Sequence, residues 1–169
     1  MKPDSGAWQN VFPDVWADVD IDVMSWFTIK VKGENANGIH QLVWDNEQNY
    51  GWEIRPKYGG EAVRRSNARL KNLTKAQYDK LEALTQELNR SLKAALTQGD
   101  PGGELAQKAC ALHKQWLSFY WDHYSPAAHI GVAQMYVDDP RFSAYYDAIA
   151  PGCAVFLRDA IRIFARRLT

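Results

Sequence analysis

"LTKAQYDKLEALTQELNRSLKAALTQGDPGG", Leu73 to Gly103, carries both ends of one long helix within it. Thr74 stands three residues before Gln77. At that spacing each side chain satisfies a backbone amide that the first helical turn leaves orphaned. A helix is therefore predicted from Lys75. Tyr78, Leu81, Leu84, Leu88, Leu92 and Leu96 recur at the spacing of a single apolar face. The glycines and proline of 98–103 stop it and turn the chain back, so the next helix is its antiparallel neighbour.

The same punctuation runs through the rest of the chain. Before this stretch, Glu61 to Leu73 reads as a short, strongly charged helix. After it, a helix is predicted over about Glu104 to Trp121, with Leu105, Ala109, Leu112, Trp116 and Phe119 on one side. Cys110, Leu117 and Tyr120 lie partly around from these, a band wider than one seam needs. Ser125 before Pro126 pairs an N-cap with a proline at the first helical position, where the missing amide proton loses nothing. A helix to about Val137 follows. Asp139 and Pro140 repeat the device for a short helix through Tyr145 and Tyr146. The last helix begins near Pro151 to Cys153 and carries Leu157, Ala160, Ile161, Phe164 and Leu168 on one face. Arg162, Arg166 and Arg167 sit toward its C-terminus, where the helix dipole favours cations. Residues 56–169 are predicted to be all-α.

Residues 1–55 read differently. They hold five of the seven tryptophans, Trp8, Trp16, Trp26, Trp44 and Trp52, in a segment that alternates acidic and apolar residues. Part of it, around "NANG" (Asn35 to Gly38), is compatible with a hairpin, and an isolated hairpin is marginal in water. The expectation is an irregular or partly β arm that depends on packing against the helices or on a ligand.

Composition narrows the function classes. The 169 residues carry 20 Lys and Arg against 20 Asp and Glu, so no global field recruits nucleic acid or an anionic membrane. No apolar run reaches the roughly 20 residues needed to span a bilayer. Two cysteines without metal spacing, and a start lacking the pattern of a secretory signal, make a reducing cytoplasm the expected setting.

The polar constellations are thin. Cys110 and His113 share a helix face at i, i+3, but no second pair of metal ligands stands across a loop. A cysteine in an aliphatic helix is most often a small buried apolar residue, and becomes a nucleophile only in an electropositive setting. The glycine pairs of "YGG" and "PGG" follow no predicted strand and make no phosphate-binding fingerprint. Neither a catalytic residue, a metal site nor a cofactor is assigned. What remains is a surplus of aromatic residues on helices that short loops make neighbours. Beyond those needed for a core, they suit a groove for a flat, largely apolar ligand, with His129 and tyrosine hydroxyls as its polar groups.

Two strings carry more than periodicity: "HKQWLSFYW" (113–121) and "HIGVAQMYVDDPRFSAYYDAIAPGCAVFLRDAI" (129–161). With the preceding "KYGGEAVRRSNARLKNLTKAQYDKLEAL" (57–84), the chain from Trp52 to Arg167 resembles the TipAS antibiotic-recognition domain, the effector-binding module of MerR-type regulators induced by thiopeptides. The resemblance implies an all-α, globin-like fold with a deep groove for bulky peptide-like or polyaromatic antibiotics. Carried over residue by residue, it places His129, Ala133 and Tyr136 on one groove wall, Trp116 and Tyr120 on another, and Tyr145 beside them. At Gly131 the thiopeptide-trapping members of the family have a cysteine, so the resemblance implies a widened groove and reversible capture here. Nothing before Trp52 reads as a winged helix-turn-helix, which suits a stand-alone form.

Two functions are therefore expected to compete. One is sequestration of a small-molecule or peptide-like antibiotic without chemistry. The other is the effector-sensing part of a MerR-type regulator without its DNA-binding half. The tryptophan-rich arm also leaves homodimer formation open.

Overall fold

The computed structural model describes residues 48, 52, 56, 61, 64, 65, 68, 69, 72–121 and 123–169. The expected arm of residues 1–55, and its boundary with the helical domain, lie outside these residues apart from Gln48 and Trp52, both helical. Of the predicted charged helix Glu61 to Leu73, the described positions 61, 64, 65, 68 and 69 are helical.

Five helices follow. Helix α1 runs Lys75–Gln98 and has the expected start: the Gln77 amide donates to the Thr74 hydroxyl and the Thr74 amide to the Gln77 side chain. Gly99 ends it with φ 79°, a left-handed conformation that costs glycine nothing, and its amide closes on Ala95. Helix α2 is Glu104–Leu117, α3 Pro126–Asp138, α4 Pro140–Ile149 and α5 Cys153–Arg167. Ser125 caps α3 through the Ala128 amide and Asp139 caps α4 through the Arg141 amide, both ahead of the expected prolines. Among the described residues every regular element is a helix, and none is long and apolar enough to cross a membrane.

Helix α2 departs from expectation in two ways. It ends at Leu117 rather than Trp121, and Ser118 to Tyr120 tighten into turns in which each amide reaches back three residues. Tyr120 thus sits just beyond the helix. Its packing face also shifts at the start: Ala109, Leu112 and Trp116 are buried as expected, with Ala106, Cys110, His113 and Leu117 beside them, whereas Leu105 is 40 % exposed. Two alanines let neighbouring backbones come close along that line, and Leu105 lies about 100° of helix rotation from Ala106.

Helix α1 packs on α2, and α3 packs most extensively on α5, with α4 bridging α3 and α5. At the end of α5, Phe164 is half-buried and Leu168 exposed, so the core contact of that helix stops at Ala165. Helix α3 is the central element, buried at Ala128, His129, Gly131, Val132, Ala133, Met135 and Tyr136. Its sequence offers almost no polar face, as a helix enclosed on several sides requires. Two histidines, His113 and His129, are fully buried with it.

Candidate functional site

The functional candidates gather where α2, α3 and the turn between them meet. Nδ1 of His113 on α2 lies 2.8 Å from Nε2 of His129 on α3. The other nitrogen of each ring also has a partner: the Tyr124 hydroxyl stands 2.9 Å from Nδ1 of His129, and the Tyr136 hydroxyl 3.2 Å from Nε2 of His113. Tyr136 is hydrogen-bonded in turn to Tyr146 of α4. A single file of hydrogen bonds therefore crosses the interior from the half-buried Tyr124 to the buried Tyr146.

The link between the two imidazoles needs at least one of its facing nitrogens unprotonated. Each neutral ring has one N–H and one bare nitrogen, and each nitrogen has one partner. Protonation of both rings would set two N–H groups against each other across the 2.8 Å contact. Burial acts in the same direction. It pushes His113 down to about 3 and holds His129 well below the ordinary histidine range, with the neighbouring His113 and Lys114 acting in the same sense on His129. Burial, with its tyrosine neighbours, also holds Tyr146 far above the usual range, so the phenol stays protonated.

Aromatic rings wrap the file. Trp116 lies 5.5 Å from His113 and 4.7 Å from Tyr120, centroid to centroid. Tyr136 packs on Phe142 and Tyr146, Tyr146 on Tyr145, and Phe164 of α5 meets His129 edge-on at 6.1 Å. The Trp116 indole donates to the Thr85 hydroxyl and the Asn89 amide reaches Tyr145, which ties the set to α1.

Five of the sequence-assigned residues, Trp116, Tyr120, His129, Tyr136 and Tyr145, thus belong to one connected set of rings. Ala133, one turn beyond His129 on the same face of α3, is buried. Gly131 is not on that wall. Two residues along a helix is about 200° of rotation, so it points nearly opposite to His129. It is buried, yet a Cβ there would meet no described atom within 4 Å. Sequence reasoning weighed His113 only as a metal ligand beside Cys110 and did not assign Tyr124 to the site, although a histidine on a buried helix face needs partners and nearby aromatic polar groups supply them.

Other features separate from this set. An open cleft of about 610 Å³ is lined by Arg65, Arg69, Leu73, Ser118 and Phe119 among others, and includes none of the seven assigned residues. The Arg69 guanidinium, on the wall of this cleft, donates to the Tyr120 carbonyl at 3.1 Å. Among the described residues, no three His, Cys, Asp or Glu side chains converge as a metal site would require. Cys110 and Cys153 are buried, and burial pushes both thiols up to about 12.

Residues 50–164 match the profile of the TipAS antibiotic-recognition domain. The chain belongs to the TipAS family. Among solved structures, this TipAS domain is similar to TipAS of Streptomyces lividans in complex with nosiheptide, described as part of a thiopeptide antibiotic multidrug resistance system. That likeness has a TM-score of 0.63 and 30 % identity, covering 73 % of this chain and 87 % of the other. The helical, globin-like fold agrees with that neighbour. It is also 33 % identical over 124 residues to the HTH-type transcriptional activator TipA of Streptomyces coelicolor, covering 71 % of this chain and 48 % of the relative. With the HTH-type transcriptional regulator SkgA of Caulobacter vibrioides it shares 33 % over 114 residues, 64 % of this chain and 45 % of the other. The TipAS domain spans about half the length of the curated relatives it matches.

Proposed function

We propose that this chain binds a bulky, largely apolar antibiotic of peptide-like or multi-ring type, non-covalently, and lowers its free concentration in the cytoplasm. The likeness to the nosiheptide-bound TipAS, which extends over 87 % of that chain, carries the reading. The site chemistry supports it. Trp116, Tyr120, His129 and Tyr136, buried in this structure, and the half-buried Tyr145 form one cluster of rings and uncharged polar groups, a chemistry that suits a ligand of stacked rings and amides. Ala133 keeps the same wall of α3 low, and Gly131 leaves space on its far side. Both thiols are buried and protonated, which favours reversible capture, and the reading requires no reaction on the ligand.

A second reading, ligand sensing within a larger regulator, is favoured by the match to about half of each HTH-type relative. Expression of the chain in a drug-sensitive host separates the two. Sequestration raises tolerance in proportion to the amount of protein, whereas sensing alone leaves tolerance unchanged.

A further inference from the structure

Trp116, Tyr120, His129 and Tyr136 are each 5 % exposed or less, so a multi-ring ligand cannot lie against their faces without parting the elements that bury them. The end of α2 offers a surface that is already open. Tyr120 closes a tight turn on Leu117, its amide 2.9 Å from the Leu117 carbonyl. At about three residues per turn these two side chains point the same way, and both are buried. Ser118 and Phe119, between them, are turned away from the core: Ser118 is exposed and Phe119 half-buried. Both line the open cleft of about 610 Å³.

That volume falls within the roughly 300–1,000 Å³ of small-molecule pockets. Leu73 and Phe119 pack against the core with part of their surface and give the cleft an apolar seat with the rest. Around the seat stand Arg65, Arg69, Asn72 and Gln77, whose hydrogen bonding is biased toward donation. A guanidinium carries several N–H donors and no acceptor, so Arg69 can hold the Tyr120 carbonyl and a further oxygen together. The Gln77 side-chain oxygen already accepts the Thr74 amide, which leaves its NH2 group to offer. The Ser118 hydroxyl donates to the Gln115 carbonyl. The cleft thus combines an apolar floor with a rim that seeks acceptors.

Resting on the antibiotic-binding reading above, we propose that this cleft is where the ligand attaches, with a planar ring seated on Leu73 and Phe119 and the carbonyls at its edge accepting from Arg65, Arg69 and Gln77. The pattern narrows the ligand class to apolar rings that carry carbonyl acceptors, as a peptide-like antibiotic does along its backbone. A ligand of hydrocarbon rings alone would displace water from these donors without replacing its hydrogen bonds, and so is disfavoured. The buried Trp116 and Tyr120 then act as positioning residues, anchoring the Ser118–Phe119 turn from either side.

The probe is nosiheptide, titrated calorimetrically into the full chain and into three variants at exposed positions, with helicity checked by circular dichroism. Ala68→Trp fills the cleft and is expected to abolish detectable uptake. Arg65→Met keeps a long stem but no donor, and is expected to bind about tenfold more weakly, the loss of one hydrogen bond to a charged group. Lys93→Trp adds the same bulk several turns further along α1 and is expected to bind as wild type. Nitrogen-15 spectra of the wild-type chain give a readout independent of the variants: the backbone amides of Gln77, Ser118 and Phe119 are expected to shift on binding. Wild-type affinity in Ala68→Trp or Arg65→Met, equal weakening in Lys93→Trp, or unmoved amides at these three residues each overturn the cleft and leave the binding reading standing. A wild-type chain that takes up no nosiheptide overturns the binding reading and the cleft with it.

Discussion

His113 and His129 lie with ring planes 5° apart and centroids 4.9 Å apart, while one ring nitrogen of each faces the other at 2.8 Å. That spacing fits two imidazoles joined edge to edge in nearly one plane, not stacked face to face. The pair links α2 to α3 through a bond that is lost when both rings are protonated.

Acid should therefore weaken the fold. His113 titrates near 3 when folded, against 6.5 when exposed, and His129 is lowered in the same sense. Below 6.5 the unfolded chain takes up protons that the folded chain refuses, so stability falls as pH drops from 6.5 toward 3. His113 alone accounts for about 2 kcal/mol between neutral pH and pH 5. Urea unfolding at pH 7.5 and pH 5 measures this, and equal stabilities would show that the rings are not buried neutral.

Tyr136→Phe should cost about 1–3 kcal/mol. It preserves the ring packed on Phe142 and Tyr146 but removes the hydroxyl that serves His113 and Tyr146, leaving buried polar atoms unpaired. Thermal unfolding of the variant checks it, and a midpoint equal to wild type would mean that the hydroxyl is not bonded.

Gly131→Ala should stabilise the protein by about 0.5–1 kcal/mol, because glycine within a helix is entropically unfavourable and a Cβ here meets no described atom within 4 Å. Denaturant unfolding would expose the opposite result, a destabilisation, if the space beside α3 were closed.

The thiols should resist alkylation in the native state. With Cys110 and Cys153 buried and pushed up to about 12, iodoacetamide at pH 8 is expected to leave both unmodified until denaturant is added. Rapid native-state labelling of either, read by peptide mass spectrometry, would reopen covalent capture.

Helix starts were legible because their signals are local: Thr74 with Gln77, Ser125 with Pro126 and Asp139 with Pro140 each act within one turn. The end of α2 was not, since Ser118 to Tyr120 could continue a helix, and the tight turns there are accompanied by a tertiary bond from Arg69. The outward turn of Leu105 was equally hidden, because which edge of a wide apolar band faces the core depends on the neighbours that α2 meets. The aromatic set was readable as a group of residue types. Its wiring was not, because His113 and His129 are partners across two helices that sequence spacing does not relate.

Binding itself is the central claim, and equilibrium dialysis of the full chain against nosiheptide tests it most directly, with the bound compound recovered in denaturant and weighed by mass spectrometry. The account predicts saturable, one-to-one uptake, release on dilution and an unchanged ligand mass. Absence of saturable uptake would contradict recognition, and a ligand recovered with altered mass or only as a protein adduct would contradict reversible sequestration.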